Sequence, residues 1–203
     1  MNTRTLGTIA MILSPALLIE ALTFTNGENH LVTGICSFFF MLGWLCSNLA
    51  MQQMQAIGTG LAAKIVLWIQ FVGIFLAMFF GIFEATQIVS EESLLFTIAD
   101  LCWPLSMVFM IVVGIMAIRA KRWAGWQRFI PLICALWLPA SILVMMPFGE
   151  NAAVENVAAV FGFGWTAIAW FTLARIIRSN ATLVTDKTTT AGNIDNESMV
   201  SVS

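Results

Sequence analysis

The segment 91–128 reads EESLLFTIADLCWPLSMVFMIVVGIMAIRAKRWAGWQR. It opens with two acids, Glu91 and Glu92, and closes with a basic segment, 119–128, that contains two tryptophans. The apolar run between them, 93–118, is long enough to cross about 30 Å of hydrocarbon as an α-helix, which takes about 20 residues. The stretch therefore predicts a membrane-spanning helix with one acidic end and one basic end.

The composition of the whole chain is that of a membrane protein. Of the 203 residues, 60% are hydrophobic and only 10% are charged, whereas about 25% of the residues of a soluble domain are charged. The chain contains six apolar runs of about membrane length. They predict an all-α polytopic membrane protein, a six-transmembrane-helix bundle with spans at about 5–24, 31–51, 61–83, 93–118, 129–148 and 156–177. We expect one membrane domain, 1–178, and a disordered cytoplasmic tail, 179–203, which is too polar to fold by itself.

The charges predict the orientation of these spans. With six spans, every basic residue falls on the side of the N-terminus: Arg4, Lys64, Arg119, Lys121, Arg122, Arg128, Arg175, Arg178 and Lys187. The other side carries only acids: Glu28, Glu84, Glu91, Glu92, Glu150 and Glu155. Because cytoplasmic loops are enriched in Lys and Arg, both termini are predicted in the cytoplasm. The short loops favour the cytoplasmic membrane of a bacterium.

Two acids fall within predicted spans, which indicates a polar site. Glu20 lies near the outer end of the first span and Asp100 lies two turns into the fourth, while Glu84 lies at the outer end of the third. A charged side chain at mid-membrane costs about 2.5–3.5 kcal/mol on insertion scales. With no Lys or Arg predicted at this depth, the acids must be protonated, share a proton, hold a cation or face a water-filled pocket.

The neighbours of Asp100 add further oxygen atoms to this predicted pocket. Pro104 has no N–H to donate to the carbonyl of Asp100, and Thr97 lies one turn away on the same helix face. Carboxylate and carbonyl oxygens suit a hard cation. Trp103 would cover the same pocket and offer its ring face to an organic cation. The alternative is structural: an acid near the interface can be hydrated and simply tolerated.

Prolines interrupt three predicted spans. Pro15, Pro104 and Pro139 each remove one backbone N–H from a helix. Broken backbone at membrane depth is tolerated where it is buried in protein or lines a cavity. These three prolines are therefore predicted hinges, with simple helix kinks as the alternative.

The third span carries small residues at four-residue spacing, Gly73, Ala77 and Gly81. Such a stripe lets two membrane helices approach closely. Either packing within the chain or a homodimer face would use it. The expected partners are accordingly the lipid bilayer and either a second copy of the chain or another membrane protein.

Several functions are excluded by the residues that are present. The single histidine, His30, lies in an outer turn, so haem held by paired histidines and a histidine-rich zinc site are both excluded. The four cysteines all lie in apolar runs and form no disulfide framework or zinc motif. The chain contains no nucleophile elbow, no phosphate loop and no nucleic-acid footprint. We therefore predict no enzyme activity, no cofactor, no resident metal ion and no nucleic-acid partner.

Two functions remain as hypotheses. The first is a transporter or permeation-type protein with an outward-facing acidic pocket for a proton, a metal cation or a cationic solute. Its predicted lining residues are Glu20, Asp100, Glu84, Thr97 and Trp103. The second is a non-catalytic membrane sensor, regulator or assembly partner that uses the small-residue stripe, the basic loop and the tail.

Overall fold

The computed structural model describes residues 1–23, 29–145, 157 and 160–181. A short 3-10 helix, Gly125–Phe129, lies among eight α-helices: α1 Thr3–Leu13, α2 Ala16–Thr23, α3 His30–Gln53, α4 Leu61–Thr86, α5 Leu94–Ala120, α6 Ile130–Ala135, α7 Trp137–Met145 and α8 Val160–Ala181. Every regular element within these ranges is helical, which confirms the all-α prediction.

Five helical segments are long and apolar enough to cross a membrane: Thr3–Thr23, which joins α1 and α2, and the helices α3, α4, α5 and α8. A bent pair, Gly125–Ala135 with Trp137–Leu143, makes a sixth if its two arms form one span. Large apolar side chains such as Leu105 and Val108 are 64% and 56% exposed. Lipid is a favourable surrounding for such a surface. These helices indicate a multi-pass membrane protein with five or six spans.

The last predicted boundaries fall partly outside the described residues. The predicted tail, 179–203, begins within α8, which continues to Ala181. Residues 182–203 lie outside the described part of the chain, and so do residues 146–156, which contain the predicted junction between the fifth and sixth spans.

The first span is divided at a proline. α1 ends at Leu13 and α2 begins at Ala16, on either side of Pro15, which has no N–H for the carbonyl of Met11. The hydroxyl of Ser14 donates to that carbonyl at 3.0 Å. The backbone group that the proline frees is therefore satisfied inside the protein, as membrane depth requires.

The other two prolines differ in their effect. The predicted fifth span, 129–148, is not one straight helix, because α6 and α7 meet at Leu136 with a bend of 53°. The break follows Ala135. The carbonyl of Ala135 has no helical hydrogen-bond donor, because Pro139, four residues later, has no N–H. Pro104, in contrast, lies inside the continuous helix α5. Pro15 thus lies at a helix break, and Pro139 lies just after one, in the first turn of α7.

The small-residue stripe of α4 packs inside the chain. A Cβ atom at Gly81 would lie 2.7 Å from the carbonyl oxygen of Gly34 on α3, and one at Gly73 would lie 2.6 Å from Oγ of Ser106 on α5. Between them, Ala77 is 1% exposed. The stripe therefore lets α3 and α5 approach α4, which is the first of the two uses predicted for it.

One end of the bundle, called here the basic end, holds the start of α1 and the ends of α3 and α8. Thr3 Oγ1 donates to Gln53 Oε1 at 2.9 Å, and Asn180 Nδ2 donates to Gln127 Oε1 at 3.2 Å. The directions of the helices place every described basic residue at this end: Arg4, Lys64, Arg119, Lys121, Arg122, Arg128, Arg175 and Arg178.

The opposite end, called the acidic end, holds the start of α3, the end of α4 and the start of α5. His30 on α3 contacts Glu84 on α4, and the Phe80 and Phe96 rings of α4 and α5 pack with centroids 5.5 Å apart. Glu91 and Glu92 lie in the connection between α4 and α5. The described charges are thus separated by sign along the bundle.

We predict that Gly81→Ala destabilises the protein by about 1–3 kcal/mol, the usual penalty for overpacking. Helix propensity alone would give the opposite sign, because replacing glycine by alanine inside a helix stabilises it by roughly 0.5–1 kcal/mol. The added methyl group meets backbone atoms of Gly34 and Phe38 at 2.7 Å, which cannot move aside cheaply. Thermal unfolding in detergent, followed by circular dichroism, measures the change.

Gly164→Ala is the matched control. Gly164 also lies inside a helix, but the nearest atom to an added Cβ, Cδ1 of Leu18, is 4.0 Å away. This variant should be as stable as the parent or slightly more stable. Equal stability of the two variants would contradict the close packing of α3 on α4.

Candidate functional site

The polar centre of the acidic end is a contact between α3 and α4. His30 is the first residue of α3, where the side chain of Asn29 caps the helix by accepting a hydrogen bond from the N–H of Val32. Glu84 lies in the last turn of α4 and is buried. His30 Nδ1 lies 2.6 Å from Glu84 Oε1, within hydrogen-bond distance. This contact ties the ends of two antiparallel helices together.

Glu91 joins this pair from the connection between α4 and α5. The chain leaves α4 through Gln87, whose φ of 51° is left-handed and whose side-chain amide donates to the carbonyl of Glu84 at 2.9 Å. This turn brings Glu91 back over the helix ends. One ligand atom from each of His30, Glu84 and Glu91 lies within 4.8 Å of the other two.

Glu20 reaches the same region from α2. It is only 5% exposed, and its Oε2 has no hydrogen-bond partner among the described residues. Thr33 on α3 and Glu84 on α4 are both near enough to act on the Glu20 carboxyl group. Glu20, His30, Glu84 and Glu91 together are called the His30 cluster below.

The charge of this cluster is unbalanced within the described residues. Three carboxylates and one imidazole converge there, while each described Lys and Arg lies at the basic end. Burying a charge without a partner is unfavourable, and in a membrane-spanning helix the penalty is several kcal/mol. A proton or a cation at this cluster would reduce that penalty.

The structure brings together only part of the predicted pocket. Glu20 and Glu84 meet, but Asp100 and Thr97 lie on the exposed face of α5. α2 packs on α3, whereas α5 packs on α4 and α6. The Thr97 hydroxyl donates to the carbonyl of Ser93 in its own helix at 3.1 Å. Asp100 and Thr97 are therefore not arranged around Glu20.

Trp103 has a different position again. Its ring packs on that of Trp137 in α7, with centroids 5.8 Å apart. Its indole Nε1 is buried without a hydrogen-bond partner among the described residues. Trp103 thus faces the bent pair of helices rather than the His30 cluster.

Sequence reasoning missed His30, Glu91 and Thr33 as members of the site. The predicted topology could have indicated them, because the loops before α3 and after α4 lie on the same predicted side of the membrane. The spacing of His30 and Thr33 by three residues also places both on one helix face. An imidazole and a hydroxyl could thus have been placed beside the outer acids.

A second polar feature lies between α4 and α5. A groove of about 360 Å³ has mostly apolar walls and contains Gln70, Gly73 and Ser106. Gln70 Nε2 donates to the Ser106 carbonyl at 3.1 Å, and Gln70 Oε1 is buried without a partner in the described structure. This groove is lined by no described carboxylate, histidine, lysine or arginine and is separate from the His30 cluster.

Comparisons with protein-family models, with curated proteins and with solved structures gave no match for this chain.

Proposed function

We propose that this membrane protein is a small transporter or permeation-type protein, not an enzyme, which takes up a proton or a cation at the His30 cluster. The observation that carries the proposal is the Glu20 carboxyl group. It is buried in a membrane-spanning segment, has an unpartnered Oε2, and lies next to a second buried acid, Glu84. Ionisable residues within membrane spans commonly mark ion pathways and proton relays.

The proposal includes an orientation, with the basic end in the cytoplasm and the His30 cluster open to the outside. Its support is the charge separation along the bundle together with the positive-inside rule. Lys187, which lies outside the described residues, follows α8 and belongs to the same side. We propose the cytoplasmic membrane of a bacterium as the location.

Polar groups along one face of α3 support a route from this site toward the basic end. Polar groups lie along this face at intervals of about one or two helical turns, at Thr33, Ser37, Trp44 and Asn48. Asn48 is fully buried and neither of its side-chain polar atoms has a partner among the described residues, and the same holds for Trp44 Nε1. Buried polar groups of this kind are usually satisfied by ordered water, and water would carry a proton or hydrate an ion.

Aromatic rings close this route in the conformation described here. Phe40 contacts Trp44 with centroids 6.2 Å apart, and both rings pack on Trp170 of α8 at 5.5 and 5.4 Å. This layer lies between Ser37 and Asn48 along α3. A site that is open at one end and sealed further in is what an alternating-access transporter requires.

The alternative, a sensor, regulator or assembly partner, has less support. It would use the basic loop, the tail and a small-residue stripe available to a second protein. Gly73 and Gly81 instead face α5 and α3 of the same chain.

We predict that Glu20→Gln lowers flux by about tenfold or more, the effect expected from losing one charge-assisted contact of ~1.5–3 kcal/mol. The amide keeps the size of the side chain but cannot exchange a proton or neutralise a cation. The measurement is proton or Mn²⁺ entry into proteoliposomes, followed with an enclosed fluorescent indicator under an imposed membrane potential.

Asp100→Asn is the matched control, since this acid also lies in a predicted span but is exposed on α5. Its flux should equal that of the parent. Both variants should give the same single peak in size-exclusion chromatography. Unchanged flux in Glu20→Gln, or an equal loss in Asp100→Asn, would overturn the assignment of the site.

The orientation gives a further prediction, which uses reporter fusions. A fluorescent protein fused after Ser203 should fold and fluoresce in the cytoplasm, whereas alkaline phosphatase at the same position should be inactive. Alkaline phosphatase inserted after Ser90 should be active outside. The reverse pattern would place the His30 cluster on the cytoplasmic side and contradict uptake from outside.

A further inference from the structure

We infer that the His30 cluster binds a divalent transition-metal ion of the Zn²⁺ class, with one nitrogen ligand from His30 and oxygen ligands from Glu84 and Glu91. This inference rests on the proposed function, because it names the class of cation that the same site takes. It is carried by the convergence of an imidazole and two carboxylates from three separate parts of the chain.

The distances fit an ion after a small adjustment. Zn²⁺ lies ~2.0–2.2 Å from nitrogen and oxygen ligands, so ligand atoms in a tetrahedral site are about 3.3 Å apart. The three ligand atoms here lie within 4.8 Å of one another. The widest pair of ligand atoms would need to close by roughly 1.5 Å or less. With Nδ1 as the nitrogen ligand, His30 Nδ1 and Glu84 Oε1, now 2.6 Å apart, would have to separate slightly to admit the ion. Glu91 is exposed in a loop and can make that movement by rotating its side chain.

Glu20 is the independent feature that points to a bound cation. It is 5% exposed, its Oε2 has no partner among the described residues, and it lies near Glu84. An exposed acidic loop can remain anionic because water solvates it, but a buried carboxylate of this kind cannot. A divalent ion bound at Glu84 would lie near the Glu20 carboxylate and would offset its negative charge.

The ligand types favour a transition metal over Ca²⁺ or Mg²⁺. Those hard ions prefer sites made entirely of oxygen atoms, with six or more ligands. Imidazole instead suits Zn²⁺, Ni²⁺, Cu²⁺ and Fe²⁺. One nitrogen and two carboxylate oxygens would leave the fourth position of a tetrahedral site open to water, which suits an ion that must also leave.

The competing explanation is that His30 and Glu84 form only a structural hydrogen bond between α3 and α4. The two explanations differ in their requirement for Glu91. A structural contact of 2.6 Å between His30 and Glu84 is complete without Glu91. A metal site loses a ligand when Glu91 is changed.

The test is equilibrium binding of Zn²⁺ to the purified full-length protein in detergent, by competition with a chromophoric chelator. We expect a one-to-one complex, and Glu91→Gln should weaken it by about tenfold or more. Glu92→Gln is the matched control, because Glu92 is also exposed but is not a member of the cluster. Ca²⁺ at the same concentration should not compete.

His30→Gln provides a second variant, since glutamine keeps a hydrogen-bond donor but removes the imidazole ligand. It should weaken Zn²⁺ binding as Glu91→Gln does and should abolish the rise in unfolding temperature that Zn²⁺ gives the parent. No saturable binding by the parent would overturn the inference. Binding unaffected by both variants, or equally weakened by Glu92→Gln, would also overturn it.

Failure of the metal site can be distinguished from failure of the proposed function. Absence of Zn²⁺ binding together with proton flux that depends on Glu20 would overturn the metal site and leave transport standing. Zn²⁺ binding that depends on His30 and Glu91, together with absence of flux, would support the metal site and overturn transport.

Discussion

The close approach of α3 to α4 is the constraint on which the site depends. In lipid no hydrophobic force drives two helices together, so their packing depends on shape and on polar contacts. Gly34 and Gly81 face each other with no room for a Cβ atom. At this separation the last turn of α4 lies directly beside the first turn of α3. The hydrogen bond between His30 and Glu84 follows from that geometry.

The acidic end combines features that are unfavourable separately. Glu20 is a buried acid in a membrane span, and the described Lys and Arg residues all lie at the other end of the bundle. The helix that carries Glu20 is also broken, at Ser14 and Pro15, and the freed carbonyl accepts a hydrogen bond from within the protein. Such a combination has little value for stability alone. A proton or a cation at this end would offset part of the cost of the buried acid.

The sequence predicts how deep each acid lies in the membrane, but not which way its side chain points. Glu20, Glu84 and Asp100 all lie in the half of their spans toward the acidic end, as counting residues along a helix predicts. Counting does not say which way a side chain points around the helix axis. Asp100 is exposed on α5, while Glu20 is buried against α3. The difference arises from the rotation of each helix against its neighbours, which depends on packing between residues distant in sequence.

The helical class, the membrane-length segments and the separation of acidic from basic ends follow from the sequence alone. Those properties depend on local composition and on charge counted along the chain. The three-dimensional arrangement was needed to show that His30 and Glu91 join Glu84, that Trp103 packs on Trp137, and that the Gly73–Gly81 stripe is used inside the chain. Each of these outcomes depends on which helix faces meet. In a bundle where nearly every helix face is apolar, hydropathy cannot show which faces meet. The close fit of small residues against the backbone of a neighbouring helix selects those faces.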